Sequence, residues 1–285
     1  YLIQYSGFKL ILMEIVMAAK KTTANKSDNE KMVVTPTNIP TNKPVRKYPV
    51  LPDLPDNTVP LHTYQGLKLP GMVNWYNNFG PVFNQGEYGS CTAQSMCGIV
   101  NFYNPGFGPS QMFQYYNERL LSDTTDSDSG STLGNAVKAF QEYGVCKETL
   151  WPYTQQDLFN QPPAICYEQA WKDPKLNYLK VPIQNNPNLV LQLKESLYLG
   201  NPVMIGIVVF PSFESDQAAQ TGQIPMPSGK SKPLGGHAIV LVGYNDNIQS
   251  FVFRNSWGEN WGVNGYGFLP YQYVQEYMMS AWVVS

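Results

Sequence analysis

The chain is expected to fold as an α+β protein of two lobes. Helical patterning follows an extended leader, short β-rich runs fill the later part, and no internal repeat links the two. Residues 92–103 place Ala93, Met96, Cys97 and Val100 on one face, which is helical spacing, and Pro105-Gly106 stops that helix. Residues 110–121 and 132–143 also read as helices, with Gly144 suited to end the second, and residues 188–199 are a fourth candidate. Val203–Val209, Ala238–Tyr244, Phe251–Arg254, Gly265–Leu269 and Ala281–Val284 are short runs rich in β-branched and aromatic side chains.

A compact body over residues 71–285 is expected to follow a leader over residues 1–70. Tyr1–Ala19 is apolar, but Lys9 and Glu14 interrupt it. It has neither the unbroken apolar run of a signal peptide nor the roughly 20 uncharged residues of a membrane span. Met13 or Met17 would serve as a natural start. Residues 20–47 are polar and read as extended or disordered. Residues 48–70 hold five prolines. Proline fixes φ and disfavours helix in the residue before it, so this stretch is expected to be extended.

Hydrophobic residues make up 43% of the 285 and charged residues 14%, enough for a sizeable core and outside the disordered range. The net charge of −2 argues against a nucleic-acid partner. The charge is unevenly spread: residues 1–50 carry eight Lys/Arg and three Asp/Glu, whereas residues 71–285 carry ten and sixteen. A basic leader in front of an acidic body can dock on it or remain solvated. The four cysteines, Cys91, Cys97, Cys146 and Cys166, are too few for a disulfide scaffold. Free thiols favour an intracellular or virus-associated setting over secretion.

Three stretches carry the chemistry: Asn84 to Ala93 (NQGEYGSCTA), Gly235 to Val240 (GGHAIV) and Arg254 to Gly262 (RNSWGENWG). Thiol catalysis uses the thiolate, and a helix N-terminus favours that anion through unpaired N–H groups and its positive dipole end. Cys91 stands at the start of the helix expected over 92–103. An imidazole must take the proton and return it to the leaving amine. The chain has two histidines, and His62 lies in the proline-rich leader, which leaves His237. Asn255, eighteen residues further on, can hold the imidazole through its amide oxygen. The Gln85 side-chain amide and the Cys91 backbone N–H are candidates for an oxyanion hole.

These motifs, in this order and spacing, resemble the papain and cathepsin family of cysteine peptidases over roughly residues 70–285. The resemblance implies a helical left lobe facing a β-barrel right lobe, with the cleft between them. It makes Cys91 the nucleophile, His237 the acid/base, Asn255 its orienting group and Gln85 an oxyanion donor. Trp257 would shield the His–Asn pair and Trp261 would line the primed side. Gly206, Gly235 and Gly236 fall where the family builds its main specificity pocket, which small residues would leave roomy and apolar. The family's usual cysteine before the nucleophile is Tyr88, the usual following aromatic is Thr92, and Asp128-Ser129-Gly130-Ser131-Thr132 replaces the usual Cys-Asn-Gly-Gly. These departures resemble the atypical branch of bacteria, archaea and large viruses.

The expected activity is endopeptidase cleavage of protein or peptide substrates by an enzyme made as a zymogen, with no cofactor, metal or nucleic acid. Residues 48–70 are expected to act as a propeptide over the groove. A silent papain-fold binding protein and an acyltransferase or deamidase are the alternatives. Cys97 reads as core. The acidic loop Asp123–Ser131 lacks the spacing of an EF-hand and reads as a solvated turn. The polar insert 212–234 reads as surface, with a cleft-edge loop as the alternative.

Overall fold

Apolar spacing and capping determine where the helices of this computed structural model begin and end. The structure describes residues 45–285, so the expectations for Tyr1–Ala19 and for most of 20–47 fall outside the described residues. After a short strand β1 (Met72–Asn74), the long helix α1 (Cys91–Tyr103) is buried over nearly its whole length. Helix α2 (Gln111–Leu120) is capped by Ser110, whose hydroxyl accepts from the Phe113 N–H. Helix α3 (Leu133–Tyr143) is capped in the same way by Thr132 and the Asn135 N–H. Gly144 ends α3 at φ 72°, where a Cβ would stand 2.6 Å from the Trp171 carbonyl oxygen. The short helix α4 (Ala164–Glu168) completes the helical lobe.

The later half alternates strands with short helices: β2 (Tyr178–Lys180), α5 (Leu189–Tyr198), β3 (Val203–Val209), α6 (Asp216–Thr221), β4 (Gly235–Asn245), β5 (Ser250–Arg254), β6 (Tyr266–Pro270), α7 (Tyr271–Tyr277) and β7 (Met278–Val284). The strands form one antiparallel sheet in the order β2-β7-β3-β4-β5-β6, and β1 also pairs with β4. The eleven-residue β4 is long enough for this double duty. Its first part pairs with β3, from Gly235 opposite Val209 to Leu241 opposite Val203, and its last residues take β1. A register shift between Leu241 and Gly243 separates two stretches of β5 pairing. Val203, Ile205, Ile207, Leu193, Leu197, Ile239 and Phe251 belong to the main apolar core of this lobe.

Two buried arginines stitch the lobes and loops. Arg254 donates to the carbonyls of Gly80 and Pro81 and lies against Gly98 of α1, so it fastens the second half of the chain to the first. Arg119 donates to the Ser127 and Leu158 carbonyls and stacks on Tyr115, which organises the loop 123–131. That loop is therefore held by the fold and is more than a solvated turn. All four cysteines are free thiols and buried, so Cys146 and Cys166 are not bonded.

Residues 45–70 pack on the body. Leu61 and Lys180 form a parallel bridge, and the His62 N–H donates to the Lys180 carbonyl at 2.9 Å. The N–H groups of Gln65 and Leu67 both donate to the Glu195 carboxylate. The insert 212–234 is only partly surface: Phe213 is fully buried in the core and Ser215 caps α6 through the Ala218 N–H. Among the described residues no helix is long and apolar enough to cross a membrane.

Candidate active site

Cys91 is the first residue of α1, and the preceding Ser90 offers no side-chain cap. The first N–H groups of the helix therefore stay close to the thiol. The backbone N–H groups of Ala238, Thr92 and Cys91 itself favour the ionised form of the thiol. Ala238 follows His237 directly on β4, so the strand that acts on the thiol through its backbone also carries the imidazole.

His237 is fully buried, and its Nε2 is 2.9 Å from Asn255 Oδ1. The Ser256 backbone N–H donates to that same oxygen at 2.9 Å, which fixes the amide's orientation. Because Oδ1 can only accept, Nε2 carries the proton and Nδ1 is bare. Nδ1 is buried with no hydrogen-bond partner of its own, the state required of a base awaiting a proton. Trp257 stacks on the imidazole at 5.0 Å between centroids, and Phe213 meets it edge-on at 6.3 Å. Phe213 in turn stacks on Trp261 at 6.2 Å, so the Asn255 side of the ring sits behind an aromatic wall.

The Gln85 side chain is locked at both ends. Its Oε1 accepts from Ser256 Oγ at 2.6 Å, and its Nε2 donates one proton to the Tyr88 carbonyl at 2.8 Å. The second Nε2 proton is left for an oxyanion. Ser256 thus ties the Gln85 amide to the loop that carries Asn255. It sits in the Asn-Ser-Trp stretch, and its adjacency to Asn255 is the one sequence signal of that coupling.

Burial dominates the electrostatics. It pushes the Cys91 thiol up to about 12, against the N–H of Ala238, while the Glu118 carboxyl beneath α1 acts in the same direction as burial. Burial also pushes the imidazole down to about 4, against the bond to Asn255, and the Arg46 charge adds to the depression. Thiol and imidazole are therefore both neutral here. Glu118 is itself fully buried and raised to about 8 by burial, while Thr92 Oγ1 donates to it at 2.5 Å. Thr92, which stands where the family usually has an aromatic, is thus a donor to an internal carboxyl.

What buries the site is residues 46–53. The Gly236 N–H donates to the Tyr48 carbonyl at 2.9 Å, and the Val50 N–H returns a bond to the Gly236 carbonyl at 3.2 Å. The Leu51 N–H reaches the Ser131 carbonyl at 3.5 Å on the opposite wall. The glycines of these walls have no room for a side chain. A Cβ on Gly236 would stand 2.2 Å from the Val50 carbonyl oxygen, and one on Gly130 2.4 Å from Pro49. Arg46 lies 4.0 Å over Trp257 and 4.0 Å from the Glu214 carboxylate, to which the Tyr48 hydroxyl also donates. Lys47 pairs with Asp128 at 2.7 Å. Val50 enters a recess where a Cβ on Gly206 would meet Ser280 Oγ at 2.8 Å, Val50 at 3.5 Å and Leu133 at 3.8 Å. The groove is thus covered by a stretch that begins two residues before Tyr48, and the part beyond Pro60 runs along the β lobe.

Gln85, His237, Asn255, Trp257 and Trp261 are joined by the contacts above, and Gly206, Gly235 and Gly236 lie against residues 48–50. Sequence reading missed Phe213, Ser256, Leu133, Ser280 and the Glu214 anchor. Only the adjacency of Ser256 to Asn255 offered a clue.

A two-lobed α+β fold with a helix-start thiol facing an imidazole–amide pair defines the class of thiol hydrolases. The family model described as papain family cysteine protease matches residues 69–283, and the chain belongs to that family. It is 35% identical over 213 residues to an uncharacterised peptidase C1-like protein of Acanthamoeba polyphaga mimivirus, covering 71% of this chain and 68% of that one. It is 29% identical over 212 residues to zingipain-2 of Zingiber officinale, covering 70% and 86%. Among solved structures it resembles xylellain, a cysteine protease from Xylella fastidiosa, with a TM-score of 0.75, 29% identity and coverage of 85% of this chain and 97% of that one. The chain is a cysteine peptidase.

Proposed function

We propose that Cys91, His237 and Asn255 hydrolyse peptide bonds through a thioester intermediate, and that residues 1–70 keep the enzyme latent until they are displaced. The observation that carries this reading is the His237 Nε2–Asn255 Oδ1 bond at 2.9 Å, which leaves a bare, buried Nδ1, together with the N–H of the next residue, Ala238, favouring the ionised form of Cys91. Nδ1 takes the thiol proton, and the thiolate attacks the scissile carbonyl carbon. The oxyanion that forms is stabilised by the free Gln85 N–H and the Cys91 backbone N–H. The imidazolium then gives its proton to the leaving amine, and the acyl group stays on sulfur. Water attacks the thioester with His237 again as base, releasing a carboxylic acid and the free thiol.

The extended path of 46–53 between Gly130 and Gly236 supports a propeptide role for this stretch, because it excludes a substrate main chain from the same walls. Val50 beside Gly206, Leu133 and Met279 supports a preference for aliphatic residues in that pocket.

The test uses the full chain, incubated at pH 5 and pH 7.5 with an epoxysuccinyl alkylating inhibitor and a mixed peptide library. The expected outcome is mass added on Cys91 alone and library cleavage that disappears in Cys91→Ala. Absence of labelling under both conditions, or cleavage that survives Cys91→Ala, removes the reading.

A further inference from the structure

Beyond Val50 the covering stretch delivers one acidic side chain to the body. The Asp53 side chain is only 5% exposed. Its Oδ1 accepts from the Gly134 N–H at 2.8 Å, in the first turn of α3, and its Oδ2 accepts from Trp282 Nε1 of β7 at 2.7 Å. Lys180 Nζ of β2 lies 3.7 Å from Oδ2 and 5.8 Å over the same indole. Three donors from three separate elements of the body thus converge on one carboxylate. Trp282 is itself only 5% exposed, so losing Asp53 would leave a buried indole N–H without a partner. An amide at a helix start and a lysine both select for negative charge.

We propose that the place held by Asp53 becomes, once the leader has left, a recognition site for an acidic side chain of the substrate. The stretch runs from Trp257, under Arg46, past the Gly206 pocket, filled by Val50, to Trp282. A substrate that threads the same glycine walls antiparallel to the leader, with its leaving amine towards Trp257, reaches the Trp282 end with residues that precede its pocket residue, on the acyl side of the scissile bond. The site takes an aspartate or glutamate within three residues of the one in the Gly206 pocket. This inference rests on the peptidase reading and on displacement of the leader.

The test is an internal competition, in which the ratio of two cleavage rates does not depend on the fraction of active enzyme. The full chain, pre-incubated at pH 5, receives equimolar pairs of peptides with Val in the pocket position. The members of a pair differ only by Asp or Asn at one of the three preceding positions. At one position the Asp peptide is expected to be cleaved ~10-fold faster than the Asn peptide, the size of one charge-assisted contact. In Lys180→Met and Trp282→Phe chains that ratio falls towards one. A ratio at or below one at every position, or a preference that persists in both variants, overturns the site. Cleavage of neither peptide overturns the peptidase reading itself, and this inference with it.

Discussion

Covering the groove keeps both reacting groups neutral, so the covered state must respond to protons. Consider lowering the pH from 7.5 to 5. With the stretch in place the imidazole is held at about 4, against an ordinary value of 6.5, with burial as the main cause. A group depressed in the covered state binds fewer protons there. Its contribution to covering is therefore complete above pH 6.5 and declines as the pH falls from 6.5 to 4. Taking opening to restore the ordinary value of 6.5, the loss at pH 5 amounts to about 2 kcal/mol, or roughly 30-fold in the ratio of covered to open chains. The charged and titratable neighbours are Arg46, Tyr48, Glu214, Cys91 and Asp128. Asp128 is raised by burial but lowered more by hydrogen bonds from Lys47, Tyr115 and the Gly89 N–H, leaving it below its usual value of 3.8. Its contribution to covering is lost only as the pH falls through that lowered value, so it cannot produce a change between pH 7.5 and 5.

The assay is hydrogen exchange in a Cys91→Ala full chain, which cannot cleave itself. Protection factors remove the intrinsic pH dependence of exchange, and those at the Val50 and Leu51 amides report opening. They are expected to fall about 30-fold from pH 7.5 to 5 in this chain, and to stay flat in a Cys91→Ala/His237→Ala chain. Constant protection in the first chain, or an equal fall in the second, refutes the linkage.

The opposite limb belongs to the thiol. Burial holds Cys91 at about 12 against an ordinary 9.0, so covering is undiminished below pH 9.0 and weakens as the pH rises towards 12. In a His237→Ala chain, protection at Val50 is expected to drop between pH 8.5 and 10, and to hold steady once Cys91→Ala is added. Gln85→Ala removes a side-chain oxyanion donor and is expected to lower kcat ~10²–10³-fold with little change in KM, measured by steady-state cleavage of a fluorogenic peptide. Phe213→Ala empties a fully buried site against His237, Trp257 and Trp261, and is expected to cost ~3–5 kcal/mol, seen as a lowered midpoint in thermal unfolding.

Local signals made the long elements legible. The helices at 91–103, 111–120, 133–143 and 189–198 lie within a residue or two of the reading from apolar spacing, and Ser110 and Thr132 mark two starts as side-chain caps. Strand β3 coincides with Val203–Val209 because it is apolar throughout and ends at Pro202 and Phe210-Pro211. The three-residue strands β1 and β2 are too short for any periodicity, and exist only through their partners on β4 and β7. The helix α6 and the burial of Phe213 were hidden in a polar insert, because one aromatic among Ser, Gln and Gly does not mark a core. At the site, His237 stood out by elimination and Cys91 by its helix start. The coupling of Gln85 to Ser256, and of Arg46 and Tyr48 to Glu214, joins residues more than 160 positions apart, which no local pattern encodes.

Under the proposed function, latency and turnover use the same walls of the groove. Gly236 exchanges two main-chain hydrogen bonds with the covering stretch, and Ser131 accepts a third from the facing wall. These contacts recognise backbone, so they hold any extended chain, whatever its sequence. Side chains then decide which chain stays. The leader adds Arg46 on Trp257, Tyr48 on Glu214, Lys47 on Asp128 and Asp53 on Trp282, contacts that lie outside the catalytic pair. Tyr48 also meets the His237 ring edge-on at 6.0 Å, so the proposed displacement removes one aromatic neighbour, while the Asn255 bond and the Trp257 stacking belong to the body. What changes is water: the desolvation that had kept thiol and imidazole neutral is relieved, and proton transfer between them becomes favourable. No covalent block is needed, and residues 1–70 contain no cysteine that could form one with Cys91. Inhibition by desolvation requires only that the stretch fit closely, which is what the absence of side chains at Gly130 and Gly236 allows.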